Sequence, residues 1–167
     1  MLLITAVICL SSMLSLNVEK YEYSQGPAMK NISDKISKSD AEWRRLLNPI
    51  QYHILRERGT ESPFSGQYIH NYDRGIYVCA GCGNELFSSD TKFDSRTGWP
   101  SFRAPIASDR IENHIDKSLW VSRIEITCSV CGGHLGHVFN DGAAPTGLRY
   151  CINSAALKFI PAGNDKL

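Results

Sequence analysis

The chain has 167 residues, of which 43% are hydrophobic and 21% are charged. These values suit one globular domain with short extensions and a usable core. Because the formal net charge is only +1, nothing in the overall charge would attract a polyanion, so we expect no nucleic-acid partner.

The chain begins with an apolar segment, residues 1–16, that carries no charged side chain and contains Cys9. This segment is too short for a comfortable bilayer span and is typical of a secretory signal, although the usual basic residue at its start is missing. We therefore predict entry into the secretory pathway, either to the endoplasmic reticulum or for secretion. The alternative is an uncleaved leader that anchors the chain to a membrane, and without it we expect no stable membrane partner.

Residues 17–38 are polar and have no apolar period, which predicts a flexible linker. Within this linker, Asn31-Ile32-Ser33 matches the acceptor triplet for N-glycosylation. The folded domain is then expected to cover residues 39–160, and residues 161–167 are expected to form a C-terminal tail.

The domain is predicted to start with two short helices. Ser39 and Glu42 have the spacing of a capping box, in which the two residues satisfy each other's free amides at a helix start. Pro49 interrupts this helix and can open the second one. The residues expected on the buried faces are Trp43, Leu46 and Leu47 in the first helix and Ile50, Ile54 and Leu55 in the second.

After Gly59 the apolar residues recur with the period of a β-strand. Two such runs, residues 67–70 and 76–79, flank the turn-forming Asp73-Arg74-Gly75, which predicts a hairpin. Residues 123–128 alternate strictly and form another strand. Many short strands separated by Gly and Pro predict a mainly β, antiparallel fold.

Four of the six cysteines form two matched pairs, Cys79-Ala80-Gly81-Cys82 and Cys128-Ser129-Val130-Cys131. Two residues between the cysteines of a pair allow both sulfurs to face one tetrahedral cation, so the four thiolates predict a structural zinc site. Gly83 and Gly132 follow the pairs and permit the tight turns. The alternative is a pair of disulfides in an exported protein, but a bond closing so short a loop would add little stability.

Cys151 stands apart from these pairs on a predicted strand. The period of the strand places Arg149, Cys151 and Asn153 on one face. A guanidinium near the sulfur favours the thiolate and lowers the pKa of the thiol, which predicts a reactive cysteine. An inert buried cysteine is the alternative, and the polar neighbours argue against it.

His134 and His137 directly follow the second cysteine pair. Their spacing does not match the hydrolytic zinc motif, and four thiolates would leave a zinc ion no open position for water, so a zinc hydrolase is disfavoured. Near a reactive cysteine the two imidazoles are candidate proton donors.

Trp99 lies in the unusual segment Gly98-Trp99-Pro100-Ser101-Phe102, in which two aromatic residues flank a proline. An exposed Trp at such a rigid turn can form a wall for an apolar ligand group, whereas a buried one belongs to the core. The sequence leaves both interpretations open.

Taken together, these motifs resemble the zinc-containing B-type methionine-R-sulfoxide reductases. The resemblance extends over residues 59–159. It rests on Gly59-Thr60-Glu61, Pro63-Phe64-Ser65-Gly66, the first cysteine pair, Gly98-Trp99-Pro100-Ser101-Phe102, the second cysteine pair, residues 134–139, Pro145-Thr146-Gly147 and residues 149–154.

The resemblance implies two antiparallel sheets that form a barrel-like core, with short N-terminal helices and a four-cysteine zinc site. It also implies a peptide-methionine (R)-S-oxide reductase that acts on oxidised proteins, and we expect a monomer. Cys151 matches the nucleophile, which is left as a sulfenic acid. The positions that match the substrate-binding residues of the family are Trp99, His134, His137, Arg149 and Asn153.

Three positions depart from the family pattern. Thr97 stands where many members carry a second, recycling cysteine, so we expect an external thiol, from thioredoxin or a small molecule, to restore Cys151. Arg96 replaces a glycine and Ser62 a proline. The rival class is a zinc-ribbon-like binding module, which would keep the aromatic surface but need no activated thiol.

Overall fold

A computed structural model describes residues 35–118 and 121–163. Two α-helices, α1 (Asp40–Leu46) and α2 (Pro49–Glu57), precede the strands. The nine strands are β1 (Gly75–Cys79), β2 (Glu85–Ser88), β3 (Lys92–Phe93), β4 (Ser101–Phe102), β5 (Ile111–Asp116), β6 (Arg123–Cys128), β7 (His134–Phe139), β8 (Arg149–Ile152) and β9 (Leu157–Pro161). The apolar leader and Asn31 lie outside the described residues.

Both helices begin with the side-chain caps that their sequences indicate. Ser39 and Glu42 form the predicted capping box, and Asn48 forms a second one with Gln51 ahead of Pro49. The predicted apolar faces are too wide, because Leu46 and Ile50 are 59% and 47% exposed. Both helices are short, and each buries only a narrow stripe. The buried residues of the two stripes are Trp43, Leu47, Tyr52, Ile54 and Leu55.

The strands form two antiparallel sheets, as expected. One sheet has three strands in the order β2-β1-β9, and the other has six in the order β3-β4-β8-β7-β6-β5. The mainly β fold class is confirmed, but the barrel-like core does not close, since β3 and β5 are the two edges of the larger sheet.

Aromatic side chains fill the space between the two sheets. Tyr77 of β1 and Phe87 of β2 are fully buried and both contact Phe102 of β4, with ring centroids 5.1 and 4.5 Å apart. Burying large rings from both sheets removes extensive apolar surface from water and stabilises their packing.

The predicted hairpin before the first cysteine pair is wrong. Residues 67–70 form turns and not a strand. Both hydrogen-bonding edges of β1 are already occupied, by β2 and by β9, so no third strand can pair with it. Tyr68 instead uses its hydroxyl to accept a hydrogen bond from the amide of Phe159, at 3.1 Å.

The chain already packs against the folded domain before Ser39. Ile36, at the end of the segment expected to be a linker, donates its amide to the carbonyl oxygen of Val130 at 2.7 Å, and its side chain packs on the core. Within residues 35–118 and 121–163, no helix has the length and apolar character needed to cross a bilayer.

Candidate active site and metal centre

The four paired cysteines converge on one point. Their sulfur atoms all lie within 4.8 Å of one another, and the residues are Cys79, Cys82, Cys128 and Cys131. Two sulfurs bound to the same tetrahedral zinc at about 2.3 Å would be about 3.8 Å apart. The sulfurs of Cys79 and Cys131 are 3.7 Å apart and those of Cys82 and Cys128 are 3.5 Å apart. The donor set therefore fits a tetrahedral metal ion, and all four cysteines are free thiols that form no disulfide in this structure.

Each cysteine pair lies in a turn between two paired strands. The amide of Gly83 donates to the carbonyl of Cys79 at 2.9 Å, and that of Gly132 donates to the carbonyl of Cys128 at 2.8 Å. Both glycines have positive φ, 79° and 66° respectively, which side chains disfavour. Since the first turn joins β1 to β2 and the second joins β6 to β7, the cluster links the smaller sheet to the larger one.

Cys151 lies on a central strand of the larger sheet. In β8 it faces Ser101 of β4 on one side and His137 of β7 on the other. The half-buried sulfur opens into a small cleft, so a ligand can reach it. The cleft is lined by Thr60, Trp99, Arg123, Gly136, His137, Phe139, Cys151 and Asn153.

Burial raises the pKa of the Cys151 thiol. The positive charge of Arg149 and the hydroxyl of Thr97, which lies beside the sulfur, both act in the opposite direction and lower this pKa. The expectation that the thiol pKa falls below its ordinary value is therefore wrong. The loss of hydration destabilises the thiolate more than Arg149 and Thr97 stabilise it.

Arg149 is held in place by an ion pair. Its Nε and Nη2 atoms each donate to one carboxylate oxygen of Asp141, both at 2.9 Å, and its guanidinium lies 4.5 Å above the ring of Phe139. This bidentate pair fixes the plane of the guanidinium. Arg149 does not line the cleft and acts on Cys151 through its charge.

His134 and His137 are each paired with a buried carboxylate. The Nδ1 atom of His134 is 2.7 Å from Glu125, and the Nε2 atom of His137 is 2.8 Å from Asp116. Burial lowers the pKa of His134, and the hydrogen bond to Glu125 opposes that change. Within the described part of the chain, the buried Nε2 of His134 has no hydrogen-bond partner.

Trp99 and Asn153 are fixed by the loop that contains Glu61. The indole N–H of Trp99 donates to the carbonyl of Glu61 at 3.1 Å, and the side-chain oxygen of Asn153 accepts from the amide of Glu61 at 3.1 Å. The buried Glu61 carboxylate in turn accepts from the amides of Ser154 and Ala155, at 2.6 and 3.0 Å. Trp99 is partly exposed and forms a wall of the cleft, which decides between its two interpretations.

The structure thus brings four of the six expected residues to one cleft, namely Cys151, Trp99, His137 and Asn153. His134 lies next to them, with its ring centroid 5.4 Å from that of His137, but lines a neighbouring depression. Sequence reasoning missed the acidic partners of the histidines. Asp116 and Glu125 lie in alternating strands, where acidic residues usually face water, so only their burial reveals them.

Comparison with known proteins identifies the family. The SelR domain matches residues 47–161 of this chain. The chain belongs to the SelR family, the B-type methionine-R-sulfoxide reductases. The peptide methionine sulfoxide reductase MsrB of Methanosarcina mazei is 60% identical over 126 residues, which are 75% of this chain and 90% of that protein. MsrB of Bradyrhizobium diazoefficiens is 58% identical over 132 residues, or 79% of this chain and 95% of that protein.

A eukaryotic relative is also similar over most of the chain. Mitochondrial methionine-R-sulfoxide reductase B3 of Mus musculus is 53% identical over 132 residues, which are 79% of this chain and 52% of that protein. Membership confirms the expected enzyme class, a peptide-methionine (R)-S-oxide reductase, and disfavours the rival binding module.

The departure at Arg96 has a structural counterpart, since this residue has φ 58°, a conformation that glycine adopts without strain.

Proposed function

We propose that the enzyme reduces the R epimer of methionine sulfoxide in oxidised proteins through the thiolate of Cys151. The observation that carries the proposal is the opening of this one sulfur into a cleft walled by Trp99 and His137, while the other four described cysteines cluster elsewhere. The thiolate bonds to the sulfoxide sulfur while the sulfoxide oxygen takes up one proton. The hydroxyl group then moves to the sulfur of Cys151 as the bond between the two sulfurs and the substrate S–O bond break. The substrate gains two electrons and becomes methionine, while Cys151 loses two electrons and becomes a sulfenic acid.

The groups around the cleft suit this reaction. The indole face of Trp99 offers an apolar surface for the substrate methyl group. His137 can supply a proton to the oxygen as negative charge develops there, and His134 can do so through its free, buried Nε2. Asn153 can orient the oxygen by a hydrogen bond, and Arg149 stabilises the attacking thiolate.

We further propose that an external thiol, from thioredoxin or a small molecule, recycles the enzyme. Among the described residues, the cysteines other than Cys151 all belong to the metal cluster, so none is free to form a disulfide with it. One thiol displaces water from the sulfenic acid and forms a mixed disulfide. A second thiol then releases Cys151 and leaves with the oxidised reductant.

We propose zinc as the structural metal of the four-cysteine site. Four thiolate ligands in a tetrahedral arrangement are typical of structural zinc and leave no position for water or substrate. The metal would supply stability at the junction of the two sheets, and the chemistry would remain with Cys151.

We also propose that the enzyme is a monomer. On the basis of its N-terminal sequence, we propose that it enters the secretory pathway. Sequencing the N-terminus of the mature protein tests this location, because an intact residue 1 would contradict cleavage of the leader.

The function is tested with separated sulfoxide epimers of a methionine-containing peptide. The wild-type enzyme with excess dithiol should consume only the R epimer, and Cys151→Ser should consume neither while it retains its metal and melting temperature. Mass spectrometry after one equivalent of substrate, without reductant, should find one added oxygen on Cys151. Turnover by Cys151→Ser would contradict the proposal.

A further inference from the structure

A network of charged residues lies behind the two histidines and extends to the end of helix α2. Asp116 and Glu125 are 5% and 4% exposed, and each holds one imidazole. The Nη2 atom of Arg58 lies 2.5 Å from Oε2 of Glu125 and 4.0 Å from Oδ1 of Asp116. One guanidinium therefore contacts both carboxylates on the oxygens that the histidines leave unused.

The carboxylates depend on Arg58 to different degrees. Asp116 also pairs with Arg123 at 2.7 Å and accepts the amide of Ser118 at 2.9 Å, so it retains partners without Arg58. Among the described residues, Glu125 forms an ion pair with one arginine, Arg58, and a hydrogen bond with His134. The rotamer of Glu125, and with it the ring plane of His134, is thus the most sensitive to Arg58.

The backbone of Arg58 supports a role for its side chain. The residue ends α2 in the left-handed region, with φ 59° and ψ 34°, where glycine is the preferred residue. An arginine that occupies such a position despite the steric cost indicates that its side chain contributes something that glycine cannot.

We propose that Arg58 is a positioning residue, which holds the Glu125 and Asp116 carboxylates and so fixes the orientations of His134 and His137. Arg58 contacts neither the cleft nor Cys151, so it acts through the carboxylates. This inference rests on the proposed role of the two histidines as proton donors. It extends that role to a residue outside the cleft.

The charges that surround His134 make the effect measurable. Burial lowers the pKa of His134; Glu125 raises it, and His137 and Arg58 lower it. Glu112 and His114 of β5 line the same depression, together with Arg56 of α2. Removing the Arg58 guanidinium should therefore shift the pKa of His134, upward if Glu125 keeps its hydrogen bond to the ring and downward if Glu125 turns away.

The test compares Arg58→Gly, Arg58→Lys and the control Arg45→Ala, which removes an exposed guanidinium from α1. Arg58→Gly relieves the left-handed backbone, which offsets part of the loss of the ion pair with Glu125, so the protein should remain folded. Its kcat should fall about tenfold to hundredfold with KM little changed. Arg58→Lys should recover part of kcat, and Arg45→Ala should match the wild type. Nitrogen NMR of the imidazole rings should show changed ring signals and a shifted titration midpoint for His134 in Arg58→Gly.

Two results would overturn the inference: wild-type kcat in Arg58→Gly, or a lower kcat with unchanged ring signals of both histidines. The NMR measurement requires no turnover. If the wild type failed to reduce the R epimer, the proposed function would fail, and the ring signals would still decide whether Arg58 positions the histidines.

Discussion

The hydroxyl of Thr97 lies beside the sulfur of Cys151 and lowers the pKa of its thiol. The same hydroxyl is 2.8 Å from Oγ of Ser95, which also accepts a hydrogen bond from Ser101 at 2.7 Å. Three hydroxyl groups thus occupy the region where a recycling thiol would need to stand.

This contact predicts the effect of restoring a second cysteine. Thr97→Cys should form a disulfide with Cys151 after one turnover, because the new thiol would stand next to the sulfenic acid. Mass spectrometry without reductant should find no added oxygen and a mass lower than that of the reduced protein by two hydrogens. Thr97→Ser is the control and should retain the sulfenic acid; a stable sulfenic acid in Thr97→Cys would disprove the predicted proximity.

Arg149→Gln should make Cys151 less reactive at neutral pH. The guanidinium stabilises the thiolate, so its removal raises the pKa of the thiol and moves the alkylation midpoint to higher pH. The rate of alkylation by iodoacetamide, measured against pH, reports this midpoint. Arg45→Gln should leave the curve unchanged, and an identical curve for Arg149→Gln would exclude an electrostatic role for Arg149.

Glu61→Ala should destabilise the fold and also disturb the cleft. The substitution leaves the buried amide of Ser154 and the amide of Ala155 without their acceptor, and each unsatisfied amide costs about 1 to 3 kcal/mol. Urea unfolding should show a lower midpoint with an unchanged slope. Glu85→Ala, at an exposed position of β2, is the matched control. Equal midpoints for the two variants would contradict this account.

Asp116 should contribute to stability in a defined pH range. Hydrogen bonds from Ser118, and then those from His137 and Arg123, lower its pKa well below the ordinary value. The folded state therefore binds this proton more weakly than the unfolded chain. The resulting stabilisation is complete above about pH 4 and is lost as the pH falls further towards the folded-state pKa.

Unfolding free energies measured from pH 7 to pH 2 test this prediction. The wild type should lose stability below pH 4 more steeply than Asp116→Asn, which lacks the titrating group. Parallel curves for the two proteins would show that Asp116 does not contribute through its ionisation.

Metal removal should unfold the domain and not merely inactivate it. Binding by four thiolates contributes about 10 to 16 kcal/mol in small zinc modules, which matches or exceeds the net stability of most domains. Cys131→Ser should lose its metal by elemental analysis and melt at a much lower temperature, whereas Cys151→Ser should retain one metal ion per chain. A metal-free Cys131→Ser protein with wild-type stability would refute the structural role.

The features that the sequence predicts correctly are local ones. The capping box of Ser39 and Glu42, the turns at the cysteine pairs and strand β6 each depend on residues a few positions apart, so their patterns survive in the fold. The arrangement of the strands in two antiparallel sheets was expected from the family resemblance.

The errors concern features that depend on distant contacts. Residues 67–70 have the pattern of a strand, but β9 occupies the edge of β1 that they would need. The pKa of Cys151 depends on burial, which one strand does not reveal. Arg58, Asp116 and Glu125 come from three separate elements, and only the folded chain places their charges together.

Strand β7 begins at His134, three positions after the metal ligand Cys131, and runs beside β8 with His137 opposite Cys151. Because side chains alternate along a strand, a slip of one position would turn the imidazole of His137 away from the sulfur. A metal ion bound at the start of β7 would therefore also hold His137 in register with Cys151. Oxidative loss of those thiolates would disable catalysis at a distance, without any chemical damage to Cys151.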